Sequence, residues 1–286
     1  MLTVGNPDEW KDFEKRHRAF LERYDELRDA QNIAFIRPLV EPNRRDLVVF
    51  YSGRLAVEDF NEILLLAANG NGVAALKILR GMYERLVHGR YLSKAPDAEV
   101  DNFYDWHWVQ KHKLVEELTK TMGPDFFTEL GYEDGANNIR EQCQAVRERF
   151  LVKHCDHCKK QKPNHTWSKL SLLEMAASAG EGVRAVTFES YYIPLEHTHS
   201  SIAAILHRLK EDENRAITFK HDAQRSEADA ALRYAHLLLI NILDLQQDHF
   251  SLEQLKHPLE KCMATYREIW LPEEATDASG AGLTSV

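Results

Sequence analysis

The segment from Val73 to Leu92 constrains the fold of this chain more than any other stretch. Its apolar residues recur at helical spacing on more than one face: Val73, Leu76, Leu79, Met82, Tyr83, Leu86, Val87 and Tyr91. A helix that is apolar on several sides is buried among other helices. The 286 residues include only 9 prolines and 13 glycines, which favours helices over strands and turns. We therefore predict an all-α, multi-helix bundle around a buried central helix at about residues 73–92.

The other helical segments divide the predicted bundle into four parts. We expect helices at residues 8–30, 46–68, 227–248 and 252–269, where apolar residues recur at helical spacing. They form an N-terminal helical region (1–45), a helical core domain (46–210) and a C-terminal helical hairpin packed on that core (211–270). Residues 271–286 are small, polar and glycine-bearing, which predicts a disordered tail.

Composition and charge exclude several classes of protein. No window approaches the roughly 18 consecutive apolar residues of a membrane span. The N-terminus lacks the pattern of a signal peptide, so we expect a cytoplasmic protein without a membrane partner. Four cysteines in such a chain argue against a disulfide framework. The net charge of −9 gives no general attraction for nucleic acid, so an RNA partner requires a local basic patch. Another protein, or a second copy in an oligomer, is the alternative partner.

An arginine and a glutamate lie on the mostly apolar stripe of the central helix. Arg80 and Glu84 are four residues apart and therefore share one helix face. Arginine before glutamate is the less favourable order for a surface pair, so this pair is expected to do more than support the helix. Either the two form a buried ion pair that satisfies another helix, or Arg80 binds an anion and Glu84 acts as a base or ligand. His88 continues the same stripe.

A second group of polar residues surrounds Pro194, which must begin or kink a helix. His199 falls on the apolar stripe of a helix that begins at Pro194, whereas His197 points nearly opposite to Leu195. The other apolar positions of this stripe are Ile202, Leu206 and Leu209. Tyr192 lies beside the proline break, where irregular backbone often builds functional sites. The alternative for His199 is a hydrogen-bonded structural histidine in the core.

A cysteine pair has the spacing of metal ligands. Cys155-x-x-Cys158, with His157 and His165 nearby, contains enough soft ligands for zinc. No second cysteine pair follows at zinc-finger spacing. Zinc is therefore the cofactor that this segment suggests, and redox chemistry or an ordinary polar helix end are the alternatives.

A carboxylate metal site is a further hypothesis. Glu196-x-x-His199 has the spacing that metal sites in helical bundles use, but such sites require a second motif. Glu84-x-x-x-His88 is the second, looser candidate in this sequence.

Three arginine–histidine pairs match the active-site pattern of HEPN ribonucleases, the higher eukaryote and prokaryote nucleotide-binding family. Arg149 and His154 have four residues between them, Arg147 and His154 have six, and Arg215 and His221 have five. In that pattern the arginine and histidine act on a scissile phosphate. The pattern is permissive, and chance matches are expected in a chain with 14 histidines.

Two segments resemble a known family. ALKILRGMYERLVHGRYLSKAPD, and HTWSKLSLLEMAASAG together with YYIPLEHTHSSIAAIL, resemble the bacterial family catalogued as domain of unknown function 5677. The resemblance spans about Leu47 to Leu209 and does not include the C-x-x-C segment. The matching positions are Arg80, Glu84, Trp167, Tyr192, His199 and Ser201. The resemblance implies an all-helical fold and, by analogy with helical toxin-like proteins, a role in phage defence or RNA cleavage.

Three hypotheses follow for the function. The leading one is a nuclease-like or toxin-like protein, in which Arg80 neutralises a phosphate and His199 acts as general acid or base. Glu84 and Tyr192 position the histidine in this hypothesis. The second is a non-enzymatic interaction protein, in which Arg80, Glu84 and His199 form one buried network. The third is a metal-dependent helical-bundle enzyme that uses Glu84, His88, Glu196 and His199.

Overall fold

Helices make up most of the part of the chain that the structure describes. The computed structural model describes residues 5–153, 161–198, 202–211, 213–220 and 222–271. Its α-helices, in chain order, are α1 (Pro7–Arg16), α2 (Arg18–Glu22), α3 (Tyr24–Phe35), α4 (Arg44–Ala68), α5 (Gly72–Lys94), α6 (Asp97–Met122), α7 (Phe126–Glu129), α8 (Glu133–Val146), α9 (Leu172–Ala179), α10 (Glu181–Ala185), α11 (Ile193–Thr198), α12 (Ile202–His207), α13 (Arg225–Phe250) and α14 (Glu253–Trp270). The predicted all-α fold is confirmed.

Short elements of other kinds connect these helices. A 3₁₀ helix covers Arg147–Phe150 and a π-helix covers Phe188–Tyr192. Strands β1 (Leu151–Lys153) and β2 (Gln161–Pro163) form one antiparallel pair. Strands β3 (Leu209–Glu211) and β4 (Ile217–Phe219) form another, with Leu209 opposite Phe219 and Glu211 opposite Ile217.

The central helix is α5, as predicted, and it packs against both α4 and α13. Its buried side chains point in several directions and include Leu76, Leu79, Met82, Tyr83, Leu86, Val87 and Leu92. The sequence also explains where the neighbouring helices begin and end. An Asn43–Asp46 capping box begins α4. The extended conformation of Ala95 before Pro96 ends α5.

One glycine permits the close approach of α5 and α13. A Cβ atom at Gly72 would lie 2.3 Å from the carbonyl oxygen of Gln224 and 2.4 Å from the backbone nitrogen of Ala228. The side chain of Gln224 also accepts a hydrogen bond from the backbone N–H of Val73, at 2.9 Å. The two helix N-termini are therefore fixed to each other by backbone contact.

The N-terminal region differs from the single helix predicted for residues 8–30. His17 and Arg23 have non-helical backbone angles and separate α1, α2 and α3. Phe13, Phe20 and Leu27 lie in α1, α2 and α3 respectively, and each is buried. They are seven residues apart, which is close to two helical turns, so the predicted apolar stripe faces the core although the helix is broken twice.

The segment after Pro194 also differs from the single amphipathic helix predicted there. Two short helices, α11 and α12, take its place. Ile202 and Leu206, predicted to lie on the buried stripe, are 68% and 58% exposed, whereas His197 is buried. A helical register carried from Leu195 does not apply to α12, because α12 is a separate helix.

No described helix is long and apolar enough to span a bilayer. Residues 272–286, which include almost all of the predicted tail, lie outside the described residues.

Candidate functional site

Polar side chains line one face of α5 at Lys77, Arg80, Glu84 and His88, three or four residues apart. The Nε atom of Arg80 donates a hydrogen bond to a carboxylate oxygen of Glu84 at 3.0 Å. The guanidinium carbon of Arg80 also lies 4.9 Å from the ring centroid of Tyr191. The side chains of Arg80 and Glu84 are 20% and 36% exposed, so the pair is at the edge of the core and within reach of solvent.

Tyr191 belongs to the π-helix that precedes Pro194. Proline has no N–H group, and its ring crowds the carbonyl four residues earlier, which favours a wider turn at this point. The ring of Tyr191 contacts the ring of Tyr192, with centroids 5.3 Å apart, and Tyr192 is 39% exposed. Arg80, Glu84 and Tyr192, predicted as site residues, therefore belong to one cluster that Tyr191 connects.

A buried hydrogen bond holds this cluster on α5. The hydroxyl of Tyr83 lies 2.6 Å from the hydroxyl of Thr187, directly before the π-helix. The ring of Tyr83 also contacts that of Tyr191, with centroids 6.2 Å apart. These contacts fix the position of Tyr191 relative to α5.

Two histidines meet on α11 and α12, and α11 packs against both α5 and the π-helix. The rings of His197 in α11 and His207 in α12 have centroids 4.8 Å apart. The Nε2 atom of His207 lies 3.0 Å from a carboxylate oxygen of Glu227 in α13. This contact requires a proton on Nε2, so Glu227 fixes both the orientation and the tautomer of His207.

The surroundings of His197 favour its neutral form. Burial lowers the pKa of His197, and the charges of His207 and Lys77 lower it further, against the opposing effect of Glu196 and Glu227. Among the described residues, this corner thus has one buried neutral imidazole and one half-exposed imidazole that a carboxylate orients.

Sequence reasoning did not find this pair. The register predicted from Leu195 turns His197 away from the core, and no motif in the sequence singles out His207. His207 is ten positions after His197, and Glu227 is twenty positions after His207, so no single-helix spacing relates them. Their proximity results from the packing of three helices.

Several predicted site residues lie outside the described residues. These are His199, Ser201 and three of the four zinc candidates, Cys155, His157 and Cys158. The fourth, His165, is exposed. Within the described ranges, no group of three or more His, Cys, Asp or Glu residues is placed to hold a metal ion. The zinc site stays a prediction.

His88 lies in an aromatic environment. Its ring contacts those of Phe103 and Trp167, at centroid distances of 5.9 and 5.6 Å. Burial lowers the pKa of His88 to about 4. Trp167 is itself buried and packs on Tyr91, so this part of the polar stripe continues into the core.

The arginines of the HEPN-like pattern have other surroundings. Arg149 forms an ion pair with Asp105 of α6. Arg215 has left-handed backbone geometry, with φ of 61°, between β3 and β4. Their histidine partners, His154 and His221, lie outside the described residues. The likeness to the HEPN pattern rests on residue spacing alone.

Comparison with known proteins gives one relationship. No curated protein and no solved structure matches the chain. A family model described as "Family of unknown function (DUF5677)" matches residues 47–216, which include Lys77, Arg80, Tyr192, His197 and His207. Because this match covers more than half of the chain, the protein belongs to the DUF5677 family.

Proposed function

We propose that this protein is a ribonuclease-like, toxin-like enzyme that cleaves RNA by acid–base catalysis with His197 and His207. The observation that supports this most is the contact between a buried, neutral histidine and a second histidine that a carboxylate orients. RNA contains its own nucleophile, the 2′-hydroxyl, so cleavage needs one group to accept a proton and another to donate one.

The reaction assigns a different task to each histidine. His197 accepts the proton of the 2′-hydroxyl, and the 2′-oxygen then attacks the adjacent phosphorus. The bond between phosphorus and the 5′-oxygen breaks. In protonated His207, the Nε2–H group keeps its hydrogen bond to Glu227. The Nδ1 proton is transferred to the departing 5′-oxygen. The products are a 2′,3′-cyclic phosphate and a 5′-hydroxyl.

Cationic groups on α5 complete the proposed site. Lys77 affects the pKa of His197 through its charge, and Arg80 lies one helical turn further along the same face. Fixed positive charge stabilises the negative charge on the phosphoryl oxygens in the transition state. A substrate phosphate competes with Glu84 for Arg80 in this account.

Purified protein and labelled single-stranded RNA in EDTA provide the test. We expect His197→Ala and His207→Ala each to slow cleavage by about 100-fold or more. We expect the melting temperature of His207→Ala to equal that of the wild type. His257→Ala is the matched control, because His257 is 90% exposed on α14. If His207→Ala cleaves RNA at the same rate as the wild type, the proposal is contradicted. Expression of the active protein is expected to slow bacterial growth, and His207→Ala to relieve this effect.

A non-enzymatic interaction protein is the second candidate, and the contacts of Arg80 favour it. Glu84 accepts a hydrogen bond from Nε of Arg80, and the ring of Tyr191 lies against the guanidinium, both without any ligand. In this case Arg80→Ala reduces stability, and RNA remains intact with every variant.

A further inference from the structure

The β3–β4 hairpin is attached directly to the histidine pair. The Nζ atom of Lys220 donates a hydrogen bond to the carbonyl oxygen of His207 at 3.1 Å. The backbone N–H of Lys220 donates to the carbonyl of Arg208 at 2.7 Å, and the Arg208 guanidinium donates to the carbonyl of Lys220 at 2.6 Å. The base of the hairpin therefore lies beside His207.

An exposed aromatic ring lies at this base. Phe219 is 50% exposed, although it pairs with Leu209 at the end of the hairpin nearer to α12. The guanidinium carbon of Arg208 lies 4.8 Å from its ring centroid. Ile217, on the same face of β4, is 69% exposed. The hairpin thus presents an aromatic and aliphatic face, flanked by a cation, instead of burying it.

The π-helix presents two more exposed aromatic rings. Phe188 is 63% exposed, and Tyr192 is 39% exposed beside Tyr191 and Arg80. Exposed rings therefore occur on both elements adjacent to the helices of the histidine pair, α11 and α12.

Both cations and acids lie near the exposed rings. Arg208 and Lys220 are at the base of the hairpin, and the Arg208 guanidinium lies against Phe219. Lys210, opposite Thr218, is on the other face, whereas Glu211, opposite Ile217, shares the face of Phe219 at the turn end. Glu227 contacts His207, and Asp222 lines the same pocket as Arg208. Arg208 and Lys220 thus place positive charge beside the exposed ring of Phe219. This combination matches nucleic acid, whose bases stack on rings while cations contact the phosphates.

We propose that the exposed rings of the hairpin and the π-helix bind unpaired bases of single-stranded RNA and so deliver a phosphate to the histidine pair. This inference rests on the proposed function and names its substrate class. Bases in a duplex are already stacked on each other and cannot cover these rings, so duplex RNA binds more weakly.

A binding experiment separates this inference from cleavage. The ligand is a fluorescent oligoribonucleotide of about 12 nucleotides with 2′-O-methyl groups throughout, which removes the nucleophile. Anisotropy at one salt concentration is expected to show tighter binding of the single strand than of its duplex. Phe219→Ala is expected to lower single-strand affinity by about tenfold, whereas Tyr51→Ala, which removes a 54% exposed ring on α4, leaves it unchanged.

Three outcomes overturn the inference. The first is equal affinity of Phe219→Ala and wild type for the single strand. The second is duplex binding as tight as that of the single strand. The third is a self-associated wild-type protein, seen by light scattering, that Phe219→Ala converts to monomer, because the face then binds a second copy. If the wild-type protein cleaves RNA and one of these three outcomes is observed, the proposed function stands and only the binding inference fails. If binding depends on Phe219 but the wild-type protein does not cleave RNA, only the proposed function fails.

Discussion

Arg80 lies between Glu84 and the ring of Tyr191. Glu84 accepts a hydrogen bond from Nε of Arg80 at 3.0 Å, and the Tyr191 ring centroid is 4.9 Å from the guanidinium carbon of Arg80. Both contacts are partly exposed, and such contacts contribute about 1 kcal/mol or less each to stability. We expect Arg80→Ala to lower the free energy of unfolding by at most about 2 kcal/mol. The same variant is expected to slow RNA cleavage by about 100-fold, because a fixed charge at phosphorus is lost.

Urea unfolding and cleavage kinetics of Arg80→Ala and Arg80→Lys measure the two effects separately. Arg80→Lys keeps the charge and should recover part of the activity. A large loss of stability with unchanged turnover per folded molecule would assign Arg80 to structure alone.

Two glycines of α5 are predicted to respond in opposite ways to alanine. At Gly72 the new Cβ meets backbone atoms of Gln224 and Ala228 at 2.3 and 2.4 Å, and backbone cannot easily move aside. We expect Gly72→Ala to destabilise the protein by about 2–3 kcal/mol, as overpacking does. At Gly81 no atom of the described residues, apart from the neighbouring backbone of α5, lies within 4 Å of the added Cβ, so Gly81→Ala should stabilise by about 0.5–1 kcal/mol. Urea midpoints compare the two, and a stable Gly72→Ala protein contradicts the close approach of α5 and α13.

Stability is predicted to fall in mild acid because of buried histidines. Burial lowers the pKa of both His88 and His236 from 6.5 to about 4. The unfolded chain therefore binds protons that the folded chain does not, between about pH 6.5 and 4. The stability from these groups is fully present above the unfolded pKa and is lost as the pH falls through 4. Each histidine contributes a slope of about 1.4 kcal/mol per pH unit in this window.

His236→Gln tests the contribution of one of them. Glutamine can still accept the hydrogen bond that Trp270 Nε1 donates to His236 at 3.1 Å, but it does not titrate. Unfolding free energies at pH 7, 6, 5 and 4.5 should fall less steeply for this variant than for wild type. The exposed His257→Gln serves as control, and equal slopes for all three proteins refute the burial argument.

Tyr83 is predicted to anchor the π-helix through its hydroxyl. Tyr83→Phe removes the 2.6 Å hydrogen bond to Thr187 but keeps the ring in place. Because the bond is buried, we expect a loss of about 1–2 kcal/mol in unfolding free energy. Tyr51→Phe, at an exposed position, should change nothing. If Tyr83→Phe is as stable as wild type, the hydroxyl contact does not hold the π-helix.

The sequence alone was sufficient for the fold class and the central helix, because helical periodicity records which side chains are buried. Residues 73–92 are apolar on several faces, and α5 is buried on several faces. The same reasoning is wrong after Pro194, because the helical phase of α11 does not extend into α12. It predicts Ile202 and Leu206 on the buried stripe, but both are exposed.

The candidate site was only partly predictable. Arg80 and Glu84 share a helix face, so their pairing followed from spacing within α5. The contacts of Arg80 with Tyr191 and of His197 with His207 join different helices. Such contacts depend on how helices pack, which a single sequence does not reveal through local spacing.

Identification of the RNA ends produced by the purified protein tests the central claim most directly. The account predicts that mass spectrometry detects a 2′,3′-cyclic phosphate on one fragment and a 5′-hydroxyl on the other. It also predicts that both ends disappear with His207→Ala under identical conditions, while the exposed His257→Ala still produces them. Intact RNA with folded wild-type protein, or the same ends at the same rate from His207→Ala, would contradict a catalytic His197–His207 pair.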